Sequence, residues 1–228
     1  MNPSGPLVLV VDDDPSVRKA LGRLLKSGGF RVSEFASAEE FLRGSFRDSS
    51  FSARSLQRTL NDQSTDQAIC AIFDVCLPGL SGLDLQRMLA EKNLNLPIVF
   101  ITGRGDIPMA VRAMKTGAVD FLPKPFDNND LLAIVQKAAS RFARNRRAQA
   151  GLADIRRRAD SLSPREREVM ELVVKGMLNK QSGIKLGVTE KTVKVHRARV
   201  MHKMGARSIP ELVHMADRLR GQESGIKS

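Results

Sequence analysis

Cysteine is scarce in this chain: Cys70 and Cys76 are the two in 228 residues. That excludes a disulfide framework and predicts reduced thiols packed near a strand. No apolar run approaches the ~20 residues that span a bilayer, so no membrane-crossing helix is expected. Met1 to Pro6 contain no Lys or Arg, and Leu7–Val11 is too short for the apolar core of a secretory signal, which predicts a cytoplasmic protein. Acidic residues are scarce in one half only. Residues 1–136 hold 15 Lys+Arg against 16 Asp+Glu, whereas residues 137–228 hold 22 against 9. A near-neutral half followed by a polycation predicts two domains with different partners. Nucleic acid suits the basic half, with an anionic membrane surface as the competing reading from charge alone.

Four short apolar runs each end in a charged or hydroxyl residue: Val10-Val11-Asp12-Asp13, Ile72-Phe73-Asp74, Phe100-Ile101-Thr102 and Phe121-Leu122-Pro123-Lys124-Pro125. Each reads as a buried parallel strand followed by helix-like sequence. Strands are predicted at Leu7–Val11, Arg31–Phe35, Cys70–Asp74, Ile98–Ile101 and Val119–Leu122. Helices follow from Pro15 (capped by Asp14 and closed at Gly28-Gly29), Ala38, Leu83, Ile107 and Asn128, the last running past Arg141. This (βα)5 pattern predicts a doubly wound α/β parallel sheet covered on both faces. Residues 44–67, rich in Ser, Asn, Asp and Gln, read as a long loop or a frayed helix extension. Residues 137–160, rich in Arg and Ala without Pro, read as a helical linker. The domain division expected is 1–136, a linker at 137–158, and 159–228.

In an open α/β sheet, ligands bind beyond the carboxyl ends of the strands. Asp12, Asp13 and Asp74 therefore converge with Thr102 and Lys124. Two like charges ~4 Å apart repel by about 4 kcal/mol at an effective dielectric near 20. Such a cluster needs a cation, and Mg²⁺ commonly uses one or two carboxylates together with phosphate and water. Lys124 supplies a second positive charge and Thr102 a hydroxyl. The set suits transfer of a phosphoryl group onto a carboxylate, where positioning and charge neutralisation do most of the work. A competing reading takes Asp12-Asp13-Asp14 as the Asp-x-Asp of a haloacid-dehalogenase-like phosphatase, which leaves the Asp74 turn and the basic half unexplained.

The first half resembles a response-regulator receiver domain. The resemblance rests on Val11-Asp12-Asp13, on Asp74 followed by Leu77-Pro78-Gly79-Leu80-Ser81-Gly82, on Ile101-Thr102-Gly103 and on Lys124-Pro125-Phe126, in that order. It implies that Asp74 accepts a phosphoryl group from a sensor histidine kinase. It also implies that Asp12, Asp13, Asp74 and the backbone carbonyl of Cys76 hold Mg²⁺, and that Thr102 and Lys124 contact phosphoryl oxygens. Phe121 stands at the family's switch aromatic, and the Lys124-Pro125 bond is expected to be cis. Asp13 and Asp74 lie 61 positions apart, more than the family's usual interval, with the surplus in residues 44–67. Cys76 and Arg104, two positions after Asp74 and Thr102, stand where the family sets its dephosphorylation rate. Arg104-Gly105-Asp106 is read as a coincidental tripeptide.

The basic half reads as four short helices. Ser163-Pro164-Arg165-Glu166 and Ser208-Ile209-Pro210-Glu211 have the form of capping boxes, Gly187 stops the second helix and Thr189 caps the third. On a helical wheel of the third helix, Glu190 to about Lys203, Val193, Val200 and Met204 fall on one face, the core face. Lys191, Val195, Ala198 and His202 lie opposite, flanked by Lys194 and Arg199, as suits a helix in a major groove.

This segment resembles a LuxR-type helix-turn-helix domain through Leu162–Glu166, Gly176, Asn179-Lys180, Leu186-Gly187-Val188, Lys191–Arg197 and Lys203-Met204. The resemblance implies that Lys194, Val195, Ala198 and Arg199 meet DNA in the groove and that Lys180, Lys191 and Arg197 contact phosphates. Ser182 and Gly183 depart from the family's apolar residue and Ala. Glycine inside a helix costs about 1 kcal/mol against alanine, which predicts a soft second helix.

The order of parts resembles the FixJ/NarL group, and the Arg-rich linker with Val200-Met201-His202-Lys203-Met204 leans toward FixJ. A bacterial two-component transcription regulator is implied rather than an enzyme. It would be phosphorylated on Asp74, dimeric once phosphorylated, and would bind double-stranded promoter DNA, with RNA polymerase as a further partner. A regulator that binds DNA without phosphorylation is the alternative.

Overall fold

The computed structural model describes residues 5–43, 68–103 and 107–223. Residues up to Arg147 form one compact unit and those from Ala148 onward a second. The first contains β1 (Leu7–Val11), α1 (Pro15–Ser27), β2 (Arg31–Phe35), α2 (Ala38–Arg43), β3 (Ile69–Asp74), α3 (Gly82–Glu91), β4 (Ile98–Thr102), α4 (Ile107–Lys115), β5 (Asp120–Pro123) and the start of α5 (Asn128–Asp160). All strand pairs are parallel, in the order β2-β1-β3-β4-β5. The three central strands are buried at every position, while the edge strands β2 and β5 are only partly covered. That is why their sequences read as unbroken apolar runs.

Alternate residues face opposite layers. Leu9, Val11, Phe73 and Phe100 pack with α2 and α3 residues such as Phe41 and Leu85. Val8, Val10, Ile72 and Ile101 pack with Leu21 and Leu25 of α1 and Leu131 and Val135 of α5. Phe35, Phe41, Phe73 and Phe100 form a chain of edge-to-face contacts with centroids 5.0, 5.4 and 6.3 Å apart, a preferred aromatic geometry. Asp14 caps α1, accepting from the Ser16 and Val17 amides, with Pro15 at the first helical position. The Lys124-Pro125 bond is cis, as expected.

The second unit holds the end of α5 with α6 (Pro164–Val174), α7 (Asn179–Leu186), α8 (Glu190–Met204) and α9 (Ile209–Glu223). Its core gathers Ile155, Leu162, Val169, Val173, Val193, Val200, Met204 and Leu212. The Ser163–Glu166 capping box is complete. The second expected box is altered. Ser208 Oγ accepts from the Glu211 amide, but the Glu211 carboxylate accepts from the Arg207 amide instead of that of Ser208.

Other expectations shift slightly. β5 starts one residue later than expected and includes Pro123. α5 runs unbroken from Asn128 to Asp160, so residues 137–158 are helical, as expected of them. The softness expected at Gly183 has a counterweight. A β-carbon there would stand 2.8 Å from the Val188 carbonyl oxygen. The glycine thus permits the tight turn between α7 and α8, where the Val188 amide donates to the Gly183 carbonyl at 2.9 Å. Residues 44–67 and 104–106 lie outside the described residues, and with them the loop expectation and Arg104.

Candidate acidic site and nucleic-acid interface

The register of the sheet assembles the acidic site. Val11 pairs with Phe73, so Asp12 and Asp74 leave adjacent strands at one level. Asp74 pairs with Ile101, and Thr102 with Pro123. Thr102 and Lys124 therefore follow one step beyond along the same edge. Ligand oxygens of Asp12, Asp13 and Asp74 all lie within 4.8 Å of one another. Asp12 is fully buried, Asp74 and Thr102 nearly so, and Asp13 is exposed. Three carboxylates from two neighbouring strand ends, one of them open to solvent, fit the hard oxygen donors that Mg²⁺ takes.

Lys124 is the counter-charge within the cluster. Its Nζ donates to Asp12 Oδ2 at 2.9 Å and Asp74 Oδ2 at 2.8 Å. Burial pushes the Asp12 carboxyl above its ordinary range, against the opposing pull of Lys124 and the Asp14 amide. Burial also acts downward on the Lys124 ammonium, but its hydrogen bonds to Asp74 and Asp12 leave it above its usual range. Around this pair the backbone is fixed. The Cys76 amide donates to Asp74 Oδ1 at 3.0 Å, and the Lys124 amide to the Thr102 carbonyl at 2.7 Å. The exposed Cys76 thiol lies 3.7 Å from Thr102 Oγ1. Cys70 is buried, which pushes its thiol up to about 12, so it stays protonated. Phe121 is half-buried against the layer containing Phe73 and Phe100.

Three contributors escaped the sequence reading. Arg18 Nη1 donates to the Asp12 carbonyl at 2.6 Å. A partly buried arginine on α1 carries no motif that would single it out. Glu39 accepts from the Leu80 amide at 3.4 Å, tying α2 to the turn after β3. Gly82 permits a close approach, since a β-carbon there would stand 2.2 Å from the Asp74 carbonyl oxygen and 3.3 Å from the Phe100 ring. The Pro78–Gly82 turn signal marked the place but not the reason. Asp14 engages its carboxylate in capping α1, so the Asp-x-Asp reading has one of its two carboxylates turned to the helix amides.

In the second unit, α7 and α8 meet through the Gly187 turn, with Gly187 left-handed at φ 67°. Val193, Val200 and Met204 are completely buried, as expected from the helical wheel. Lys191, Lys194, Val195, Ala198 and Arg199 form the exposed face of α8, and Lys180 is exposed on α7. Lys194 pairs with Glu190 at 3.1 Å across one turn, an exposed contact of small worth. Arg197 differs from the other expected phosphate contacts, because its Nη1 donates to Asn179 Oδ1 at 2.9 Å and links α8 to α7. The end of α8 is anchored by Lys203, whose Nζ reaches Glu166 Oε2 at 2.6 Å and the Ser161 carbonyl at 3.1 Å. Lys203 and the Ser163 amide together hold the Glu166 carboxyl down at about 2.

Comparison with known proteins agrees with both halves. The response regulator receiver domain family matches residues 49–136, and the luxR family of bacterial regulatory proteins matches residues 160–216. Nodulation protein W of Bradyrhizobium diazoefficiens is 46% identical over 213 residues, covering 93% of this chain and 86% of that protein. The transcriptional regulatory protein FixJ of Rhizobium meliloti is 39% identical, over 92% of this chain and 94% of that one. Among solved structures, response regulator StyR is 40% identical with a TM-score of 0.78, covering 94% of this chain and 99% of that one. Full-length FixJ from B. japonicum is 39% identical with a TM-score of 0.54, covering 95% and 98%.

Proposed function

The chain belongs to the response regulators that join a receiver domain to a LuxR-type DNA-binding domain, and from that premise we propose that it is a transcription regulator switched by phosphorylation of Asp74. The observation that carries the reading is the cluster of Asp12, Asp13 and Asp74 at the carboxyl edge of the sheet, with the Lys124 amine on two of them, Asp12 and Asp74. A carboxylate oxygen of Asp74 attacks the phosphorus of a kinase phosphohistidine. The phosphorus–nitrogen bond breaks, and the phosphoryl group moves to the aspartate. Asp12, Asp13, Asp74 and the Cys76 carbonyl are the groups that would hold Mg²⁺, which when bound neutralises charge on the phosphoryl oxygens. Lys124, already on Asp74, turns its amine to a phosphoryl oxygen, and Thr102 supplies a hydroxyl to another.

Thr102 is drawn toward the new group, and Phe121 moves into the space this leaves. The face of α4 and β5 changes with it. Ile107, Val111 and Met114, spaced at one helical stripe, are exposed on α4 at 82, 45 and 47%. An apolar stripe of this kind supports pairing with a second copy of the chain. Two C-terminal units then present α8 to two half-sites of promoter DNA. Lys194, Val195, Ala198 and Arg199 enter the groove, Lys180 and Lys191 contact phosphates, and Arg197, bonded to Asn179 through Nη1, offers a phosphate its remaining guanidinium donors. Phosphorylation governs this only to the extent that the phosphoryl group favours the active arrangement over the resting one.

The test uses acetyl phosphate on the unaltered chain and on Asp74→Asn. Expected are labelling, a concentration-dependent dimer and tighter binding to duplex DNA in the first, and none of these changes in the second. Undiminished labelling of Asp74→Asn would overturn the phosphoacceptor assignment. Duplex binding that is equally tight with and without the donor would favour regulation without phosphorylation.

A further inference from the structure

The last turn of α8 leaves four backbone carbonyls, those of residues 201–204, without partners inside the helix. Two are met by the turn that follows: the Gly205 amide donates to the His202 carbonyl at 3.1 Å and the Ala206 amide to that of Met201 at 3.0 Å. A third is met from outside. Arg158, in the last turn of α5, donates from Nη1 to the Met204 carbonyl at 3.0 Å. A cation at a helix carboxyl end also complements the helix dipole.

Several independent features fit this contact. Asp154, one turn earlier on α5, holds the Arg158 guanidinium at 2.7 Å. Gly205 stands in the left-handed region at φ 65°, and a β-carbon there would come within 2.2 Å of Arg158 Nη1. The glycine therefore serves both the turn and the space that the guanidinium occupies. Ile155, on the same stretch of α5, is buried in the core that contains Val193, Val200 and Met204 of α8. Lys203 reaches the Ser161 carbonyl just past the end of α5. The luxR-family match begins only at residue 160. The final turns of α5 are thus an addition outside the matched segment, yet they hold its recognition helix.

We infer that Arg158 is a positioning residue that fixes the carboxyl end of α8, and so the angle at which its exposed face meets base edges. The inference rests on the DNA-binding reading. Sequence discrimination depends on the placement of a few side chains in the groove, whereas non-specific attraction depends on charge alone. Loss of Arg158 therefore weakens discrimination more than attraction.

The experiment uses the full chain. A preferred duplex is first selected by the unaltered protein, treated with acetyl phosphate, from a random-sequence pool. Affinity for that duplex and for a scrambled one is then compared among the unaltered chain, Arg158→Ala, Arg158→Lys and Arg157→Ala. Arg157 is a neighbouring exposed arginine, also paired with Asp154, so it controls for the removal of one positive charge. Amide exchange of residues 201–206 is followed in parallel, to report on the clamp without DNA.

Arg158→Ala is expected to speed that exchange and to lower the selected-to-scrambled ratio about tenfold, the size of one charge-assisted hydrogen bond. Arg158→Lys is expected to recover part of the ratio, and Arg157→Ala to leave ratio and exchange unchanged. Unaltered exchange in Arg158→Ala would overturn the clamp. Faster exchange with an unchanged ratio would overturn the positioning role while leaving DNA binding intact. A chain that selects no duplex at all would overturn the DNA-binding reading and this inference with it.

Discussion

Replacing Lys124 by methionine removes the amine that two buried carboxylates share while keeping much of its apolar stem. Asp12 is completely buried and Asp74 nearly so, and Lys124 is itself only 23% exposed at its side chain. Breaking a buried ion pair by deleting one partner costs about 3–5 kcal/mol. The partial exposure of Lys124 places the expected loss near the lower end, at about 3 kcal/mol. With a urea slope of about 1–3 kcal/mol per molar, the midpoint of the N-terminal unit should fall by at least about 1 M in chelator. Far-UV circular dichroism is the suitable probe, since the chain has no Trp or Tyr.

Two further signs follow from the same geometry. Without Lys124 the Asp12 carboxyl, already raised by burial, rises further. A group raised in the folded state favours folding only at low pH, and that contribution is lost as pH climbs through its folded value. The deficit of Lys124→Met should therefore be largest near neutrality and should shrink toward pH 4. Mg²⁺ should also restore the variant, because a ligand held by the folded form at a hundred times its Kd adds about 2.7 kcal/mol. An unchanged midpoint in chelator, or a deficit that Mg²⁺ deepens, would refute the reasoning.

Glu166, held down at about 2 against an ordinary 4.5, contributes stability above pH 4.5 that is lost as pH falls toward 2. Calorimetry should show the C-terminal transition falling through that window, and Glu166→Gln should flatten the fall. Gly82→Ala should press a methyl group on the Asp74 carbonyl, costing about 1–3 kcal/mol and slowing acetyl-phosphate labelling. Thermal unfolding and a labelling time course check both effects. Val111→Asp places a charge in the exposed stripe of α4 and should abolish the proposed phosphorylation-dependent dimer, read by light scattering, while leaving acetyl-phosphate labelling at the rate of the unaltered chain.

The sheet and the acidic cluster at its rim are legible because the central strands are buried on both faces. Their polar residues therefore stand out at the ends of apolar runs, as Asp12, Asp74 and Thr102 do. The sequence pattern sets the start of edge strand β5 one residue early, since partial burial blurs it. On α8, Val193, Val200 and Met204 announced the core face by spacing alone. What stayed hidden depends on contacts between residues far apart in sequence. Nothing local to Arg158 marks it as a partner of Met204, and nothing local to Arg197 ties it to Asn179. Helix propensity alone marks Gly183 as a weakness, because it takes no account of the Val188 carbonyl that lies against it. Glu211 carried the letters of a capping box, yet its carboxylate chose the amide one residue back, a choice that local sequence does not encode.

The pairing of Val11 with Phe73 has a consequence for how such a chain tolerates change. Asp13 and Asp74 are remote along the polypeptide, but ladder bonds between neighbouring strands set their separation in space. The number of amino acids strung between those strands does not enter into it. Lengthening or trimming residues 44–67 should therefore leave the carboxylates where they are.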